Sequence, residues 1–165
     1  LSTEKIIARL DKLHQLNISL LNLSKEKTER LKENDIDAFN EILMKERKHI
    51  QAIEQVEIKR IEATEAWFED HAPKAEDKTI SRVIELVEDK EQNAQLEKLY
   101  DSLIYTLADL KSQEKLNRDL IEQSLQMVEL SLDLMQPNHQ KDLNYQKPKR
   151  KEQQSSSTSV FDSKA

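Results

Sequence analysis

The 165-residue sequence contains no glycine and no cysteine, only three prolines, and 4% aromatic residues. Each scarcity removes a class of protein. Sheets draw on glycine at turns and bulges and on β-branched or aromatic residues in strands, so a β-rich fold is excluded. Phosphate-cradling loops and dinucleotide fingerprints need glycine and cannot be built. Without cysteine there are no disulfides, thiolate metal sites or cysteine nucleophiles. No apolar run approaches the roughly 18–20 residues of a membrane span, and no charged-then-apolar signal segment opens the chain. The expectation is a soluble cytoplasmic protein without direct membrane insertion.

What remains is helical vocabulary: 35% of the residues are charged, and Leu, Ile, Glu, Lys and Gln dominate. The net charge of −6 is uneven. From Gln136 onward six Lys/Arg face three Asp/Glu, a surplus of +3, which leaves −9 on the preceding residues. An acidic body lacks the basic footprint of nucleic-acid binding, so no nucleic-acid partner is expected.

Apolar spacing predicts an all-α fold, an elongated antiparallel bundle with a coiled-coil-like arm. Ile6, Leu10, Leu13, Leu16, Leu20 and Leu23 recur at threes and fours, predicting a helix over about 3–31. Asn34 or Asp35 caps a second helix, about 35–68, with Ile36, Phe39, Ile42, Leu43, Ile50, Ile53, Val56 and Trp67 on its inner face. The short connection makes the two antiparallel neighbours. Pro73 interrupts the pattern. A short helix over about 79–87 carries Ile80, Val83, Ile84 and Val87, and a long one runs over about 90–135. Residues 1–135 form one helical domain. Residues 136–165, ended off by Pro137 and rich in Gln, Ser and Lys, are expected to be a disordered basic tail.

Chemistry-bearing constellations are scarce. Glu46 and His49 have the E-x-x-H spacing of a carboxylate-bridged metal site, but such sites need a second copy and two further carboxylates, and no second copy exists. Neither a catalytic residue, a metal site nor a cofactor is expected, and the protein is read as not an enzyme. Trp67 and Phe68 are read as core.

One stretch stands out. Residues 116–135, LNRDLIEQSLQMVELSLDLM, carry two apolar stripes on a helical wheel. Leu116, Leu120, Met127, Leu130 and Leu134 form the first. Ile121, Leu125, Val128, Leu132 and Met135 form the second. Asn117, Ser124 and Ser131 run between them, and charge is confined to the remaining side. A surface helix ordinarily has one apolar face wider than about 100°; this one has roughly twice that. Either the segment is the centre of the bundle, with Asn117 fixing register, or one stripe packs inward and the other docks a partner helix. A partner of roughly 30 residues cannot cover a helix of about 46, so part of the segment is expected to protrude and serve docking. The candidate contacts are Leu116, Asn117, Leu120, Ile121, Ser124, Leu125, Met127, Val128, Ser131, Leu132 and Met135.

Further features carry a resemblance. Long helices, the Pro-interrupted middle, the Leu116-Asn117-Arg118 triplet in the last helix, the rhythm of residues 20–61, the LNYQK run at 143–147 and the terminal FDSKA together resemble the FlgN family of flagellar type III export chaperones, in particular its Bacillus-type members. The resemblance implies a cytoplasmic chaperone for the hook–filament junction proteins FlgK and FlgL. It would hold their C-terminal assembly helices, prevent premature assembly and deliver them to the cytoplasmic domain of the export-gate protein FlhA. It implies a cargo site on the C-terminal helix region and a tyrosine near the end for gate docking, here Tyr145. The alternative is a self-associating structural coiled-coil adaptor.

Overall fold

In the computed structural model, which describes residues 2–135, four α-helices and no strands are present: α1 Ser2–Lys32, α2 Ile36–His71, α3 Ile80–Leu86 and α4 Lys90–Met135. The expected tail, and Tyr145 within it, lie outside the described residues. Contacts divide the chain into two units, Leu1–Gln123 and Ser124–Ala165.

The turn between α1 and α2 shows how a chain without glycine reverses direction. Asn34 takes a left-handed backbone, φ 56°, a conformation asparagine tolerates better than most residues. The Asn34 N–H donates to the Leu31 carbonyl at 3.3 Å and the Asp35 N–H to the Arg30 carbonyl at 3.1 Å, the two bonds of a Schellman cap. Asp35 then caps α2, its carboxylate accepting from the Ala38 N–H at 3.1 Å. One residue thus ends the first cap and begins the second, so the reversal is tight. The register follows: Thr3 meets Trp67, Ser19 meets His49 and Lys27 meets Glu46, an antiparallel pair.

Helix α2 runs one turn beyond the 35–68 span that sequence spacing gives. The Ala72 N–H still reaches the Phe68 carbonyl at 2.9 Å, and the His71 ring stacks on Trp67 with centroids 4.6 Å apart. The stop comes from Pro73, which disfavours helix in the residue before it, rather than from the charged pair Glu69-Asp70. Thr79 caps α3 by accepting from the Arg82 N–H, and Asp89 opens α4 by accepting from the Gln92 N–H.

Within Leu1–Gln123 the apolar core gathers at one end. Ile6, Ile7 and Leu10 of α1, Trp67 and Phe68 of α2, Ile80 and Val83 of α3 and Leu96 of α4 form a single buried cluster. Trp67 donates from Nε1 to the Thr3 hydroxyl at 3.0 Å, which satisfies the one polar atom of the largest buried side chain. Short α3 could not hold as an isolated helix; Ile80 and Val83 bury it in this cluster. After α3 the chain re-enters alongside α1: His14 pairs with Thr106, Ser24 with Glu114 and Thr28 with Asn117, both series ascending. Helices α1 and α4 are therefore parallel neighbours, and α2 runs against α1.

Candidate functional site

The residues singled out by their double stripe fall in two different settings. Asn117 is 1% exposed. Its side-chain N–H groups donate to the Ser24 carbonyl at 2.9 Å and the Ser24 hydroxyl at 3.1 Å, and its oxygen accepts from the Thr28 hydroxyl. Asn117 therefore faces α1 in this structure. Leu120 and Ile121 flank it half-buried, and Leu116 is exposed. The seam, not either stripe, is what points at α1 at this level.

Around Asn117 lies a polar layer. Lys27, only 5% exposed, sends its ammonium to Glu46 at 2.9 Å and to Glu114 at 3.1 Å. Ser24 donates to Glu114 at 2.7 Å, and Gln113 donates to the Thr28 hydroxyl. A buried cation is tolerable only when paired and hydrogen-bonded, and Lys27 meets that condition with two carboxylates from two other helices. Sequence spacing missed this layer. The signal was that the three-and-four spacing of α1 continues past Leu23 on Ser24, Lys27, Thr28 and Leu31, while the helix itself runs to Lys32: the inner face must still be packed, and polar side chains supply most of it.

From Ser124 the setting changes. Every residue through Met135 is exposed. Leu125, Met127, Val128, Leu130, Leu132, Leu134 and Met135 are each more than half exposed, from 54% at Leu130 to 79% at Met135. The segment is nonetheless helical; Leu, Met, Gln and Glu, which favour helix, make up most of it, and the Ser131 hydroxyl donates to the Met127 carbonyl at 2.8 Å. Seven large apolar side chains over about three turns make a run of exposed apolar surface of the kind that soluble monomers rarely leave without a use. Burying the exposed part of each releases about 1 kcal/mol. The gross gain is then roughly 7 kcal/mol, enough for a useful association only if a partner covers most of the row at once.

Glu46 is engaged with Lys27 and His49 with Ser19 at 2.7 Å, so the E-x-x-H pair does not converge. Among the described residues no group of three or more His, Asp or Glu is placed to hold a metal ion. A groove of about 690 Å³ lies over Leu10 and Leu13 between Ile53 and Leu103. Along its rim Arg60 holds Glu57 at 2.6 Å, and the Ser81 hydroxyl donates to Tyr100. No helix among the described residues is long and apolar enough to cross a membrane.

The family model for FlgN protein matches residues 2–153. An uncharacterized protein of Bacillus subtilis (strain 168), YvyG, is 39% identical over 166 residues, covering 100% of both chains. No solved structure matches the chain.

Proposed function

The chain belongs to the FlgN family, a family of flagellar export chaperones rather than enzymes, and from that premise we propose that it is a cytoplasmic chaperone for the hook–filament junction proteins FlgK and FlgL. It holds their C-terminal helices, keeps them from assembling early and hands them to the cytoplasmic domain of FlhA at the export gate.

The observation that carries this reading is the exposed apolar row from Leu125 to Met135. An assembly helix of a filament protein is amphipathic, with an apolar face that seeks another such face. Leu125, Val128, Leu132 and Met135 on one stripe, and Met127, Leu130 and Leu134 on the other, offer two adjoining faces. Helix laid against helix buries the row along its length, which is the geometry that the free-energy estimate requires. Specificity then comes from where Glu129 and Asp133 stand beside the row.

Sedimentation equilibrium of the full chain alone and mixed with full-length FlgK or FlgL tests the proposal. The expected result is a monomer alone and a one-to-one complex in the mixture. A stable dimer across a wide dilution range, with no mixed complex, would replace the chaperone with a self-associating coiled-coil adaptor using the same row.

Gate docking is assigned to Tyr145. Tyr145→Ala is expected to leave affinity for the junction proteins unchanged while weakening binding to the FlhA cytoplasmic domain about tenfold, as loss of one aromatic anchor does. Unchanged gate binding in a surface-plasmon titration would move that role to another residue.

A further inference from the structure

We propose that α4 opens locally from α1 between Gln113 and Gln123, with the polar layer as its latch, while the apolar end of the bundle stays closed. Three observations carry this. First, the attachment of α4 changes character along its length. Leu96 is buried in the apolar cluster, whereas the other buried residues described on α4, Thr106 and Asn117, are both polar. Contacts that exchange protein hydrogen bonds for water hydrogen bonds contribute little net free energy, so the second attachment is intrinsically weaker than the first.

Second, the layer is open to solvent at Glu114. The Glu114 side chain is 40% exposed although it accepts from both Ser24 and Lys27. When α4 moves away, Gln113, Glu114 and Asn117 are solvated at once instead of passing through a dry state.

Third, opening strands no charge. A buried pair is costly to break when it leaves one ion alone in an apolar site. Here Lys27 keeps Glu46 at 2.9 Å, because that carboxylate belongs to α2 and stays behind. Thr28 likewise keeps an acceptor on its own helix, its hydroxyl lying 3.2 Å from the Ser24 carbonyl. The layer divides cleanly: the α1–α2 hairpin retains a complete ion pair, and α4 carries off groups that water satisfies. Separation uncovers Leu120 and Ile121, half-buried in the closed form, and makes them available as apolar surface.

Native-state hydrogen exchange on the full chain, followed with increasing urea, tests the latch. Freed of α1, this stretch loses the packing that holds its helix, so amides from Gln113 to Gln123 are expected to exchange about 100-fold or more faster than those around Leu96, with a shallow urea dependence that marks local opening. The α1 variant Ser24→Ala/Thr28→Val, combined with Asn117→Leu, should slow exchange at 113–123 at least tenfold and leave amides near Ile6 unchanged. If amides 113–123 and those near Leu96 exchange through one opening with a common steep urea dependence, the latch is wrong. It is also wrong if the fast exchange ignores the substitutions, since simple fraying of a helix end takes no notice of its neighbour. The urea dependence of the unaltered chain decides the matter even where the variant folds poorly.

Discussion

Replacing Val128 and Leu132 together with glutamate is expected to weaken binding of the FlgK C-terminal segment at least ~100-fold in calorimetric titration, with helical content by circular dichroism unchanged. Both parts of the outcome follow from exposure. The two side chains are each 55% exposed on one stripe, so neither contributes appreciably to folding, and glutamate is as good a helix former as leucine. In a complex the same positions are covered. Each substitution then removes about 1 kcal/mol of apolar burial and obliges a carboxylate either to stay hydrated, holding the partner off, or to be buried unpaired at a cost of several kcal/mol. The combined penalty of about 4 kcal/mol or more corresponds to roughly a thousandfold in affinity. Loss of helicity instead of affinity would mean that the row is packed in the folded protein.

The second large effect lies in the polar layer. Lys27→Met is expected to lower unfolding free energy by about 3 kcal/mol in urea titration. The isosteric apolar chain fills the space, so a cavity is not the cause. The cause is Glu46, 8% exposed and held by the Lys27 ammonium, which is left as a buried carboxylate without its cation. Lys27→Met/Glu46→Leu should recover most of the loss, because removing both charges also removes the need to desolvate them. Equal destabilisation by the single and double variants would place the energy in packing rather than in the ion pair. This prediction concerns the α1–α2 hairpin, and the opening of α4 leaves that pair in place.

How far the sequence alone reaches varies along the chain. The absence of glycine together with apolar residues at threes and fours was enough for four helices, and Asn34-Asp35 marked the reversal because few residue pairs can end one helix and start the next without glycine. Trp67 and Phe68 were legible as core from their place on the inner face of α2. The end of α2 was less legible: the apolar spacing runs out at Phe68, but charge on an exposed helical face is no obstacle to helix, and the proline two residues past His71 decides. The polar layer was legible only as a set of positions: Ser24, Lys27 and Thr28 continue the three-and-four spacing of Leu13, Leu20 and Leu21 on the inner face of α1, but which partners Lys27 finds there depends on the tertiary meeting with Glu46 and Glu114. Asn117 shows the same limit from the other direction. Its place between two apolar stripes is readable from one helix, whereas its contacts with α1 depend on Ser24 and Thr28, some ninety residues earlier. The apolar row beyond Ser124 was legible because excess hydrophobicity is a property of one helix and needs no partner to be seen.

The most direct test of the central claim is a hydrogen–deuterium exchange footprint of the full chain with and without the C-terminal segment of FlgK. Cargo bound along the exposed row predicts new protection concentrated on amides from Leu125 to Met135. A tight complex whose protection falls only within residues 2–123 would contradict it, and would place cargo on a surface other than the row.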